Sequence, residues 1–180
     1  MAAPFYLVVD VEATCADDGS IPAEEMETIE IGAVMLDGES LEAVSEFQTF
    51  VKPARQPSLT RFCTELTSIR QADVDAAPGF LAAAKAFSAW LMPYQPLVFC
   101  SWGAWDERQL RKDAAVHSLP WFIPGPHLNL KAEFPKRVGG KKRVGVSRAL
   151  SQVGLEFRGT AHRGIDDARN IARLVAYCLP

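Results

Sequence analysis

Asp10 and Glu12 stand two residues apart at the end of an apolar, β-branched run, residues 5–11. On a strand, residues two apart point to the same face, so these two carboxylates project together. Adjacent carboxylates repel unless a cation lies between them. Near the far end of the chain, a helical wheel at roughly 100° per residue places Asp167 on one face with Ile171, Leu174, Val175 and Cys178. Asn170, Arg173 and Tyr177 fall instead with Asp166. Asp167 therefore lies on the apolar stripe, where a carboxylate is costly unless it is paired or holds a metal. Asp166 has a simpler role as an acid at a helix start. His162 precedes Asp167 by five positions, between Gly159 and Gly164, in a loop that holds an imidazole nearby. Histidine is the side chain best suited to take a proton near neutral pH. Asp106 follows the short apolar run 97–100 and two tryptophans, Trp102 and Trp105. Alone it reads as the N-cap of the next helix. His117 and His127 read as exposed or structural residues.

The segments that must position these groups have legible patterns. Strands are expected over 5–11, 28–36 and 44–52, with Asp37-Gly38 turning the second into an antiparallel third. Residues 13–27 are polar and acidic and read as an exposed loop. Helical spacing covers 59–69 and 78–92, where Phe80, Ala83, Ala84, Phe87 and Leu91 recur on one face. A buried strand follows at 97–100, then a helix over 106–117, a proline-rich break at 120–127, and a strand or helix within 128–138. A Gly/Lys/Arg loop, a short helix at 146–153 and a last helix over about 164–178 complete the chain. Strands first, then helices alternating with buried strands, predict an α/β layer fold with a mixed sheet.

Composition narrows the classes. The 180 residues, 48% hydrophobic and 23% charged, suit one ordinary domain and exclude disorder, collagen and coiled coil. The N-terminus shows no basic region and its apolar run is interrupted by Asp10, so neither a signal peptide nor a membrane span is expected. The cysteines, Cys15, Cys63, Cys100 and Cys178, form no CxxC pair and read as reduced, mostly buried thiols of a cytoplasmic protein. The net charge of -3 argues, taken whole, against a nucleic-acid partner. Its distribution does not. Between 131 and 148, Lys131, Lys136, Arg137, Lys141, Lys142, Arg143 and Arg148 face the single acid Glu133. Such a window reads either as a solvated loop or as a phosphate track.

The set Asp10, Glu12, Asp106, His162 and Asp167 resembles the DEDDh 3′–5′ exonucleases in order and spacing. Most similar is their Eri-1-related exoribonuclease subgroup. The carrying strings are DVEATC at 10–15, ETIEIGAV at 27–34, LTRFC at 59–63, WGAWD at 102–106, NLK at 129–131 and HRGIDDARNIAR at 162–173, nearly the whole chain. The resemblance implies an RNase H-like fold, a mixed five-stranded sheet flanked by helices, in a single exonuclease domain over 1–180. It implies hydrolysis of single-stranded RNA from the 3′ end by two Mg²⁺ ions, Mn²⁺ substituting, with release of nucleoside 5′-monophosphates. Asp10, Glu12, Asp106 and Asp167 would hold metal, and His162 would be the general base. Glu12, with Ala13 and Thr14, would meet the terminal nucleotide, and Phe62, Trp105 and Met26 would wall its base. Lys141, Lys142 and Arg143 would track the backbone. Two alternatives stay open: a DNA exonuclease with the same acids, and an RNA-binding module with a dead site. Oligomeric state is not legible.

Overall fold

The computed structural model describes residues 5–140 and 142–179. Strands β1 (Phe5–Ala13), β2 (Thr28–Leu36) and β3 (Ala43–Phe50) form an antiparallel meander. Asp37 makes the β2–β3 turn by accepting the N–H groups of Glu39 and Ser40 at 3.0 and 2.8 Å. Strands β4 (Leu97–Ser101) and β5 (His127–Asn129) add in parallel on the other side of β1, giving the order β3-β2-β1-β4-β5. β1 is thus a central strand, and its C-terminal end opens beside that of β4, the edge where open α/β sheets place ligands.

Helices α1 (Arg61–Thr67), α2 (Gln71–Asp75), α3 (Phe80–Leu91), α4 (Trp105–Val116), α5 (Leu130–Val138), α6 (Val146–Gln152) and α7 (Gly164–Ala172) flank the sheet. One core packs α3 and α4 against Leu7, Val9, Val11 and Ile31. The other packs α5, α6 and α7 through Phe134, Leu150, Ala168 and Ile171 against Val8 and Val34. Successive β1 residues feed opposite cores, as strand alternation requires. The result is the RNase H-like, mixed five-stranded arrangement.

The structure moves several expected boundaries. α4 begins at Trp105 with Ala104 as N-cap, so Asp106 lies inside its first turn and is free for another role. The last helix stops at Ala172 rather than continuing to 178. The N–H groups of Leu174, Tyr177 and Cys178 donate three residues back, and a 3₁₀ turn at Val175–Tyr177 replaces the final turn. The expected 59–69 helix is shorter, capped by Thr60, whose Oγ1 accepts from the Cys63 N–H at 3.0 Å, and α2 follows it. Residues 13–27 are only partly exposed, since Thr14, Ile21 and Glu27 are buried. No helix among the described residues is long and apolar enough to cross a membrane.

Candidate active site

β1 delivers Asp10 and Glu12 to the mouth of the sheet. α7 is brought against them by a close backbone approach. A Cβ on Gly32 would lie 2.1 Å from the Gly164 carbonyl carbon, so only glycine on β2 admits the helix. Glu30, fully buried on β2 opposite Glu12, then clamps the helix start. Its carboxylate accepts from Arg163 Nε and the Gly164 N–H at 3.0 Å each, and from Gln48 Nε2 at 2.8 Å. The buried Glu30 carboxylate thus has a cationic partner and satisfied lone pairs, which offset the cost of its burial.

This docking brings carboxylate oxygens of Asp10, Glu12 and Asp167 within 4.8 Å of one another. Asp106 stands beside them and accepts the Val11 N–H through Oδ1 at 3.1 Å, which ties α4 to β1. All four line a cleft of about 580 Å³, with Trp102, Trp105, Arg148 and His162 on its walls. His162 is exposed and left-handed at φ 61°, and its N–H donates to Asp167 Oδ2 at 2.7 Å. The backbone of the histidine loop is therefore fixed to the carboxylate whose chemistry it accompanies.

The site is electrostatically frustrated. Burial pushes the Asp10 carboxyl well above the usual range, and Asp106, Glu12 and Asp167 push it further. Burial, with Asp167 and Glu30 next, raises Glu12 to about 8. Burial also raises Asp106 to about 6, against the Val11 N–H, and lifts Asp167 despite the His162 N–H. Arg163, next to His162 in sequence, is committed to Glu30. A converging, purely carboxylate donor set suits a hard divalent cation and not zinc.

Asp166 faces elsewhere. It accepts the Thr160 N–H at 2.9 Å and an Arg169 N–H at 3.1 Å, which holds the loop before α7. Asn170 departs from its expected polar face. It is buried, and its amide accepts the Arg158 N–H and donates to the Arg158 carbonyl, a sheet-like pairing that a wheel diagram cannot show.

Of the other expected contact residues that the structure describes, only Trp105 lines the cleft. It is 39% exposed. Ala13 and Thr14 are buried at the end of β1, where Thr14 exchanges hydrogen bonds of 2.9 Å with Glu27. Met26 and Phe62 are half-buried outside the cleft lining, and Lys142 and Arg143 are exposed outside it. Lys141 lies outside the described residues. Glu30, Gly32 and Arg163 were not singled out from the sequence as supports of the site. An acid and a glycine inside an otherwise apolar strand were the available signals.

The exonuclease family model, RNase T, matches residues 7–175. The chain belongs to this exonuclease family. Among relatives, it is 30% identical to ERI1 exoribonuclease 2 of Xenopus laevis over 202 residues, covering 96% of this chain and 28% of that protein. It is 31% identical to the 3′-5′ exonuclease eri1 of Schizosaccharomyces pombe, covering 95% of this chain and 66% of that protein. This exonuclease chain thus spans only part of the length of those relatives. The nuclease domain of 3′hExo, a DEDDh member bound to rAMP, superimposes with a TM-score of 0.87 at 26% identity, over 96% of this chain and 90% of that one. Membership of the exonuclease family and the acidic group together imply dependence on a divalent metal.

Proposed function

We propose that the chain is a 3′–5′ exoribonuclease that hydrolyses single-stranded RNA ends to nucleoside 5′-monophosphates with two Mg²⁺ ions, Mn²⁺ substituting. The convergence of Asp10, Glu12 and Asp167 oxygens within 4.8 Å carries the reading. Asp10, Glu12, Asp106 and Asp167 would hold the metal. Bound there, divalent ions neutralise phosphate charge, lower the pKa of water and steady the leaving oxygen.

The chain's own groups do the rest. His162, on the lip of the cleft, takes the proton of the attacking water. The water oxygen forms the new bond to phosphorus, and the bond to the 3′-oxygen of the penultimate nucleotide breaks. Trp105 offers a half-exposed ring to the terminal base, and stacking there accepts any base. Ala13 and Thr14, which follow Glu12 in the chain, would meet the terminal nucleotide and read its free 3′ end. Met26 and Phe62 would wall the terminal base, and Lys141, Lys142 and Arg143 would attract the backbone. Relatives named as exoribonucleases, and the 3′-exonuclease structure described as recognising the histone mRNA stem-loop, support RNA as the substrate.

The test is hydrolysis of 3′- and 5′-labelled RNA and DNA strands with Mg²⁺, Mn²⁺ or chelator. The expected result is metal-dependent release of labelled 5′-monophosphate from the 3′ end, faster on RNA. Faster hydrolysis of DNA would reassign the substrate, and internal cleavage would overturn the exonuclease reading.

A further inference from the structure

Arg148 is the sole lysine or arginine lining the acidic cleft among the described residues. Several other arginines are engaged by acids: Arg163 by Glu30, Arg169 by Glu46 and Asp166, Arg111 by Glu107, Arg70 by Asp73. The Arg148 guanidinium has no such ion pair among the described residues, and its side chain is exposed.

The backbone that carries it is nevertheless fixed. The neighbouring Ala149 and Leu150 are fully buried in the core shared with Trp102, Ala168 and Ile171. Trp102 also donates its indole N–H to the Val144 carbonyl at 2.9 Å, which straps the segment before α6 onto the cleft wall. A permanent, forked cation without an ion pair therefore stands on a fixed stretch of backbone at the wall of a cleft crowded with carboxylates.

The substrate's chemistry says what such a cation can meet. A strand ending in a 3′-hydroxyl carries one phosphate on its last nucleotide, the scissile one, and that group belongs to the carboxylate and metal site. Every further phosphate lies upstream. We propose that Arg148 binds the first phosphate upstream of the scissile linkage, so that the enzyme senses at least two consecutive charges before it cuts. The proposal rests on the exonuclease reading and adds to it a determinant of minimum substrate charge and length.

The experiment uses two RNA trinucleotides, each 2′-O-methylated at the first nucleotide. One has natural linkages. The other carries a neutral methylphosphonate at the upstream linkage and a natural scissile phosphate. For the wild-type chain, kcat/KM is expected to fall about tenfold on neutralisation, the scale of one lost charge-assisted hydrogen bond. Arg148→Ala is expected to be slower on the natural trinucleotide and less than about twofold sensitive to neutralisation. Arg148→Lys, with charge but no fork, is expected in between. Melting curves matching wild type establish that the variants fold. A full tenfold sensitivity in Arg148→Ala, or none in wild type, overturns the assignment. Hydrolysis of neither trinucleotide with Mg²⁺ or Mn²⁺ overturns the exonuclease reading itself.

Discussion

Two neighbouring aspartates on α7 have opposite duties. Asp167 turns its carboxylate to Asp10 and Glu12, while Asp166 holds Thr160 and Arg169. Asp167→Asn can still accept the His162 N–H but removes one charge from the proposed metal-binding group, so hydrolysis should fall on the order of a thousandfold or more, as expected for a disabled metal site. Asp166→Asn should retain most activity and lower the melting temperature slightly. Turnover and melting curves of the pair check this, and equal loss of turnover would refute the division. At His162 the left-handed backbone matters, because alanine there adds strain whereas asparagine tolerates that conformation. His162→Asn should therefore lower kcat about 10²–10⁴-fold, the usual worth of a general base, with RNA affinity nearly unchanged. Single-turnover kinetics beside equilibrium binding separate the two effects.

The elements were legible wherever one face carried the pattern. β3 and the paired Asp10 and Glu12 follow from strand alternation, β1 and β2 from continuous apolar runs, and α3 from helical spacing. The supports of the site were less legible because they act between distant segments. Glu30 meets Arg163 across 133 positions, and Gly32 is needed only because α7 lies on it. Asn170 was misplaced because its partner, the Arg158 backbone, is not on its own helix. Gly32→Ala should force α7 off β2, which shifts Asp167 and His162. It is expected to cost more than an ordinary small-to-large core change of about 1–3 kcal/mol and to abolish measurable turnover. Glu30→Ala leaves the half-buried Arg163 charge and the buried Gly164 N–H without their acceptor and should cost about 3 kcal/mol in urea unfolding. Adding Arg163→Met to that variant should recover part of the loss. A double variant no more stable than the single one would show that the clamp is not an ion pair.

At the scale of the whole molecule, the net charge of -3 combines opposites. Acids converge at the sheet mouth, and bases gather between 131 and 148, so the sum alone misstates the affinity for polyanions. The crowded acids also set a pH dependence. Glu12 is raised from 4.5 to about 8, so the folded chain binds more protons than the unfolded chain across that window. Stability from this group is complete below about pH 4.5 and is lost as pH rises through about 8, provided no metal is bound. Melting temperatures in chelator should therefore decline from pH 5 to pH 8, and Mn²⁺ should raise them more at pH 8 than at pH 5. A metal-induced shift independent of pH would contradict the proximity of the acids. The most direct test of the account is Mn²⁺ titration of the wild-type chain and Asp10→Asn, with calorimetry and RNA hydrolysis read on the same samples. The predicted result is turnover that rises with metal occupancy, stops in chelator and is lost together with tight metal binding in Asp10→Asn. Hydrolysis that persists in chelator, or an Asp10→Asn chain that binds metal and turns over normally, would contradict it.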